Sequence, residues 1–367
     1  MALSIDVLAT TLEDLAVDFD TTFVQWHPWL DKAMKNGAIN KNTLKGSFRT
    51  FNILTGGPGF VTNINTGGES IKGGRRQNAR KGNEFVHRAI YAFDVPRVDM
   101  LEAVGPSDLA RLIQEYPQAG EDEFKEAYVY QVFTGAALNG NADLQITGIA
   151  TLNGDTTYNP LGTGARSGLC EFATPATQTA TVHGLVSSLG SGWYNQYQTI
   201  ASYAIEGLTK SRTAYYDANR LAPSYGQVDC MYGDSSSYHN YVDILYQDRR
   251  TPKATAITEY PSVMEGVPFE KADYFLEGAI DLTNATYTGG AHAVDTTRGV
   301  IYGLKSSVVE TIMHGNDGEM AFGGLFLRDK PFRNPTEDSY RFENVLHINH
   351  AIRCRRATFA ITGAGTP

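Results

Sequence analysis

The sequence predicts an α+β protein in which helices and sheets occupy separate regions. Helical spacing of apolar residues is concentrated in 107–136 and 195–222, whereas the chain beyond 260 is mostly short strand patterns. The length of 367 residues allows two domains, or one large domain with an insertion.

A glycine-rich stretch at 56–88 dominates the organisation of the chain. Glycine doublets recur there at 56–57, 67–68 and 73–74, and few large apolar residues lie between them. Such a segment favours tight turns and cannot bury a core of its own. We expect either a surface loop or a long twisted hairpin arm that becomes ordered only against a neighbouring subunit. The arm is basic within an acidic chain, and its candidate intersubunit contacts are Lys72, Arg75, Arg76, Arg80 and Lys81.

Elements before residue 140 follow from capping and periodicity. The acidic stretch 1–22 carries one narrow apolar stripe, and a short helix begins at Pro28 and ends at Gly37. A strand is predicted over 85–95. Helices are predicted after Ser107, ending at Pro117, and over 120–135, where acidic residues fill the first turn.

The second half predicts one long helix followed by β-structure. The stripe over 195–222 indicates the longest helix of the chain, ended by Pro223. No long element is predicted over 139–192. Further along we expect a strand at 227–232, a helix at 236–246, and strands near 267–269, 274–282, 298–304, 320–327, 342–352 and 354–362.

Composition excludes several classes of protein. A formal net charge of −9 and a pI near 5.4 argue against a dedicated nucleic-acid binder, because phosphate affinity needs clustered Lys and Arg. The three cysteines are far apart and form no disulfide framework or zinc motif, which indicates a reducing compartment. The N-terminus does not resemble a signal peptide, and no apolar run has the length of a membrane span.

The search for catalytic motifs finds none that is convincing. There is no phosphate-binding loop and no nucleophile elbow. His347 and His350 fall on opposite faces of a strand, which disfavours a metal pair. Cys170 is expected to be a buried, inert thiol, and Arg353 and Arg355 are expected to share one face of the last strand. We therefore expect no enzyme activity, no cofactor and no metal.

The order of these pieces resembles the major capsid proteins of tailed bacteriophages, which share the Hong Kong 97-type fold. The resemblance covers nearly the whole chain. The segments that carry it are WHPWLDKAMKNG at 26–37, the glycine-rich arm at 44–88, GLVSSLGSGWYNQY at 184–197, QVDCMYGDSSSYHNYVDIL at 227–245, GVPFEKADYF at 266–275, GVIYGL at 299–304 and INHAIRCRRATFAITGAG at 348–365.

This resemblance implies a division of the chain into five parts. They are an N-terminal arm (1–43), an extended loop or E-loop (44–92), a peripheral domain with the spine helix (93–225), an axial domain (226–335) and closing strands that return to the peripheral domain (336–367). Some members of the family cross-link a loop lysine to an asparagine. Lys72 and Lys81 are possible donors, but no motif identifies the acceptor, so the cross-link is not carried over.

The resemblance also implies a function. The chain would self-assemble as hexamers and pentamers into the icosahedral head of a tailed bacteriophage, enclosing double-stranded DNA without specific binding. Scaffolding, portal or decoration proteins would be its other partners, with no membrane involved, and assembly would occur in the host cytoplasm. Two alternatives stay open: an encapsulin-like compartment that holds protein cargo, and a β-rich enzyme.

Overall fold

The fold is taken from a computed structural model, which describes the following residues: 29, 39–40, 48–54, 79–85, 87–98, 147–149, 169–170, 174–178, 181–186, 192–248, 263–264, 266–271, 280–281, 286–287, 299–313, 327–328, 332–334 and 338–364. The predicted elements at 1–22, 107–116 and 120–135 lie outside these residues. Both helices and mixed sheets are present, so the α+β prediction is confirmed in the described part of the chain.

The elements follow in chain order. The helices are a π-helix at Tyr203–Gly207, α1 at Leu208–Leu221, α2 at Ser235–Asp248, and 3-10 turns at Pro223–Tyr225 and Arg355–Ala357. The strands are β1 Ile39–Asn40, β2 Phe48–Leu54, β3 Ala79–Phe85, β4 His87–Pro96, β5 Thr181–Val182, β6 Leu185–Val186, β7 Gln196–Thr199, β8 Cys230–Gly233, β9 Val263–Met264, β10 Val267–Lys271, β11 Ile280–Asp281, β12 Thr286–Tyr287, β13 Val300–Leu304, β14 Val309–Met313, β15 Leu327–Arg328, β16 Phe332–Asn334, β17 Ser339–Ile352 and β18 Phe359–Thr362.

The first sheet is built on the long strand β17. It pairs antiparallel with β4 from Ser339↔Pro96 to Ile348↔His87, and on its other side with β14, β15 and β16. Strand β1 adds to β14 in parallel. Because β17 contacts four other strands, it is the element that positions the described residues around it.

The second sheet has the strand order β7-β18-β13-β8-β10-β9 and carries both described α-helices. Their apolar faces pack on it to form a core of aromatic and aliphatic side chains. Gly303 in β13 lies directly under the Phe359 ring. A Cβ atom at that position would come within 2.0 Å of the ring, so this position requires glycine. The buried members of this core are Ile200, Tyr203, Ala214, Tyr215, Ala218, Val228, Met231, Tyr241, Val242, Val267, Phe269, Ile301, Phe359, Ile361 and Ala364.

Helix α2 begins where a side chain joins it to the sheet. The Asp234 carboxylate accepts hydrogen bonds from the Ser237 backbone N–H at 3.3 Å and from the Val300 N–H at 2.8 Å. The first bond caps the helix, since an Asp at this position satisfies an amide that has no partner within the helix. The second holds the start of the helix against β13.

Two connections cross between the sheets, and each buries a cation. Residues 305–308 join β13 to β14, and residues 353–358 join β17 to β18. Lys305 donates from Nζ to the Ala222 carbonyl at 2.9 Å, and burial lowers the pKa of its ammonium group. The Arg353 N–H donates to the Val308 carbonyl at 3.0 Å, which ties the two crossings together.

The structure corrects two predictions in these regions. The predicted helix over 195–222 begins as strand β7, because residues 196–199 pair in parallel with β18, and helical structure starts only at Tyr203. The predicted last strand over 354–362 begins at Phe359, after a 3-10 turn. Arg353 and Arg355 therefore do not share a strand face: Arg353 is exposed and Arg355 is fully buried.

Several other strand and helix predictions are confirmed. The predicted end of the long helix at Pro223 is confirmed, since α1 ends at Leu221. The predicted helix at 236–246 and the strands near 267–269, 298–304 and 342–352 are confirmed with small changes in their bounds. Most of the predicted strands at 274–282 and 320–327 lie outside the described residues.

Candidate functional site at the base of the hairpin

The glycine-rich segment is flanked by a two-stranded antiparallel hairpin. Strand β2 pairs with β3 from Phe48↔Phe85 to Leu54↔Ala79. Three of the predicted contact residues, Lys72, Arg75 and Arg76, lie outside the described residues. Arg80 and Lys81 lie in β3, opposite Ile53 and Asn52.

The two faces of this hairpin differ in environment. One face is buried and carries Phe51, Ile53, Gly82 and Glu84, while the other is exposed and carries Thr50, Asn52, Lys81 and Asn83. Strand alternation places Arg80 on the buried side, where it is half-buried, and Lys81 on the exposed side. The two basic residues therefore do not form a single surface. Gly82 and Glu84 are buried in the subunit, whereas Asn83 between them is exposed.

A buried carboxylate, that of Glu84, lies at the base of the hairpin. The residue is 4% exposed. Oε1 accepts from the Thr147 hydroxyl at 3.0 Å and from Asn349 Nδ2 at 2.7 Å, and Oε2 accepts from His183 Nδ1. Three donors thus compensate for the removal of the negative charge from water.

His183 occupies the turn between β5 and β6. Its φ is 53° and that of Gly184 is 76°, and two positive values in a two-residue loop fit a type I′ hairpin turn. His183 Nε2 accepts from the Ile352 N–H at 2.9 Å, so the proton of the neutral ring lies on Nδ1 and is donated to Glu84. The imidazole therefore links the hairpin base to the end of β17.

Asn349 in β17 completes the network. Its Oδ1 accepts from the backbone N–H groups of Thr147 and His350, both at 2.7 Å, while its Nδ2 donates to Glu84. This pattern fixes the orientation of the amide. Four segments that are distant in sequence, at residues 84, 147, 183 and 349, thus meet around one carboxylate.

His350 follows Asn349 in β17 and lies beside this network. It is fully buried, shares a hydrogen bond with Thr311 Oγ1 at 3.2 Å, and meets the edge of the Trp29 ring with centroids 6.5 Å apart. Burial lowers the pKa of its imidazole to about 4. His350 is therefore neutral at physiological pH.

A second buried polar group joins the 3-10 turn after β17 to the chain before β7. The Arg355 guanidinium donates to the Leu169 carbonyl at 3.3 Å, the Trp193 carbonyl at 3.3 Å and Asn195 Oδ1 at 3.1 Å. It also lies over the Trp193 ring, 5.9 Å from the centroid. The backbone of Asn195 is paired in turn with the Gln178 side chain.

Two candidates for chemistry, a reactive thiol and a metal cluster, can be checked among the described residues. Cys170 is buried as expected, and burial raises the pKa of its thiol to about 11, so it is not a thiolate nucleophile. Among the described residues, no group of three or more His, Cys, Asp or Glu could hold a metal ion. In the same part of the chain, no helix is both long and apolar enough to cross a membrane.

Sequence reasoning did not find Glu84, His183 or Asn349 as a group. One signal was available, because TVHGLV places a two-residue His-Gly turn between β-branched and aliphatic residues, which is a hairpin pattern. Nothing in the sequence connects that turn to residues 84 and 349, since the three come together only through long-range strand pairing.

No protein-family model and no curated protein matches the chain. Solved structures do. The capsid of Myoviridae phage XM1 is similar over 90% of this chain and 91% of its own, at 10% identity and a TM-score of 0.51. The capsid of cyanophage A-1(L) is similar over 88% and 89%, at 12% identity and a TM-score of 0.51.

A third similar structure is an encapsulin complex from Synechococcus elongatus PCC 7942. It covers 90% of this chain and 87% of its own at 11% identity, but its TM-score of 0.44 is too low to support a conclusion. The two phage capsids match this chain along most of its length and of theirs. The chain therefore has the Hong Kong 97-type fold found in the capsid proteins of tailed bacteriophages.

Proposed function

We propose that this chain is the major capsid protein of a tailed bacteriophage and assembles into the icosahedral head around double-stranded DNA. The observation that carries the proposal is the likeness of fold to two phage capsid chains over about nine-tenths of both partners. A likeness confined to one domain would be compatible with many functions, whereas these two matches extend over most of the chain.

The distribution of polar groups supports a structural role. The buried polar groups described above hold backbone segments together: Glu84 and Arg355 each join segments far apart in sequence, and Asp234 ties a helix to a strand. Such networks rigidify a subunit. A rigid subunit suits a shell, since symmetric assembly repeats each contact many times and requires the same geometry at every copy.

The proposal extends to the organisation of the chain. The five parts 1–43, 44–92, 93–225, 226–335 and 336–367 serve as N-terminal arm, E-loop, peripheral domain, axial domain and closing strands. The basic residues of the loop, Lys72, Arg75, Arg76, Arg80 and Lys81, contact neighbouring subunits. Lys81 supports this assignment, because it lies on the exposed face of the hairpin.

The partners follow from the same proposal. Hexamers and pentamers of this chain form the shell, with scaffolding, portal or decoration proteins completing the head. Packaged DNA is held without specific contacts, which agrees with 31 Lys and Arg against 40 Asp and Glu. Assembly takes place in the host cytoplasm, and neither catalysis nor a cofactor is required.

The test is to produce the full chain and measure its particle size by sedimentation and negative-stain electron microscopy, followed by nuclease digestion of the particles from an infected or induced host. We expect closed shells, and DNA protected from the nuclease in particles from the host. Shells that enclose protein cargo and no DNA would instead identify an encapsulin-like compartment. A protein that stays monomeric under all conditions would contradict the proposal.

A further inference from the structure

The network around Glu84 joins the hairpin base to three other segments of the chain. We propose that the Glu84 carboxylate is a latch that makes the hairpin base (β2 and β3), the 181–186 turn and the end of β17 open and close as one cooperative unit. The inference goes beyond the proposed function, because it concerns motion within one subunit. Its test does not depend on shell formation.

The first step of the argument is the number of segments that one side chain holds. Glu84 accepts from Thr147, His183 and Asn349, and His183 in turn accepts from the Ile352 N–H. If the hairpin base moved alone, all three donors to Glu84 would lose their acceptor in a site closed to water. An unpaired buried donor destabilises a protein more than an average hydrogen bond stabilises it.

The second step is that the network works in one arrangement of protons. His183 Nε2 faces a backbone N–H, which is always a donor, so Nε2 must be the acceptor and Nδ1 must carry the proton. The atom opposite Nδ1 must then accept, which a carboxylate oxygen does. An amide NH₂ group at that position is a donor, so the imidazole proton would have to move to Nε2. There it would face the Ile352 N–H, and two donors would meet.

The third step is packing. The hairpin base and the turn are in direct contact, since a Cβ atom on Gly82 would lie 3.3 Å from the His183 Cβ. The Phe51 and His183 rings meet edge to face with centroids 5.0 Å apart, and the Asn83 N–H donates to the His183 carbonyl at 3.3 Å. These contacts of the His183 side chain and backbone oppose movement of either segment without the other.

The experiment is hydrogen–deuterium exchange on the purified full chain, comparing peptides over 79–85 and 181–186 with a reference peptide over 208–221. Glu84→Gln replaces an acceptor by a donor, and His183→Asn removes the imidazole while keeping a residue that tolerates positive φ. We expect each variant to raise the exchange rate in both segments by about tenfold or more, because each loses a hydrogen bond to a charged group. The reference helix should not change.

A double variant tests whether Glu84 and His183 act through their shared hydrogen bond. If they do, Glu84→Gln with His183→Asn should raise exchange by less than the product of the two single-variant factors, since that bond can be lost only once. Thr147→Val, which removes one donor to Glu84, gives a milder variant with a smaller rise in both segments if Glu84→Gln does not fold. Thr50→Val is the matched control, because it removes only the exposed Thr50–Asn83 bond of 3.1 Å in the same hairpin.

Three results would overturn the proposal. One is faster exchange over 79–85 with no change over 181–186, which would mean that the segments open separately. Another is additive effects in the double variant. The last is an equal response in the Thr50→Val control, which would show that any loss in the hairpin loosens it.

Discussion

Acidification should destabilise this subunit through His350. The imidazole is fully buried, and burial lowers its pKa to about 4 from the ordinary value of 6.5. Below pH 6.5 the unfolded chain binds a proton at this position that the folded chain does not bind until about pH 4. The contribution of neutral His350 to stability is therefore complete above pH 6.5 and is lost progressively as pH falls towards 4.

The magnitude follows from the gap between the two pKa values. A gap of about 2.5 corresponds to about 3 kcal/mol, since each tenfold change in proton affinity is about 1.4 kcal/mol. Typical domains are stable by about 5–15 kcal/mol, so a loss of this size is measurable by denaturation.

The assay is urea unfolding of the dissociated subunit at pH 7 and pH 4.5, followed by tryptophan fluorescence, for the parent protein and for His350→Leu. The leucine variant should lose less stability than the parent between the two pH values, by about 2–3 kcal/mol. His239→Gln is the matched control, because it removes a histidine that is exposed on helix α2 instead of a buried one. An identical pH dependence in the parent and in His350→Leu would refute the reasoning.

Three further predictions concern buried contacts and the loop. Arg355→Met should lower the free energy of unfolding by about 3 kcal/mol or more, because three buried acceptors lose their donor. Arg353→Ser should cost less in the same denaturation assay, because it breaks a single ion pair, with the largely buried Glu310, from a side chain that is itself half exposed. Gly303→Ala should lower the free energy of unfolding by about 1–3 kcal/mol by overpacking against Phe359. The same substitution should cost less when it is made in a Phe359→Leu variant. Replacing Arg75, Arg76 and Arg80 by Ser should leave the circular dichroism spectrum intact and reduce particle yield in sedimentation, and normal yield would contradict a contact role for these residues.

Local patterns predicted the elements that depend on local chemistry. Pro223 marks the end of α1, because the loss of a backbone donor acts within a few residues. The alternating pattern near 342–352 likewise predicted most of β17. These signals need no partner elsewhere in the chain.

Long-range pairing is where sequence reasoning failed. Residues 196–199 carry part of a helical stripe, but parallel pairing with β18 makes them a strand. Arg355 reads as a strand residue beside Arg353, yet the chain turns there to cross between the sheets, and its guanidinium is buried among carbonyl groups. Glu84 stands in a basic, glycine-rich stretch, and its partners lie 63 to 265 residues further along the chain.

The central claim is that this chain forms a closed shell from one repeated subunit. Cryo-electron microscopy of particles assembled from the full chain tests it most directly, because the map shows both the symmetry and the fold of each copy. We expect an icosahedral shell in which β17 pairs with β4 in every subunit and the β2–β3 hairpin reaches towards a neighbouring copy. Particles without icosahedral symmetry, or a hairpin that contacts only its own subunit, would contradict this account.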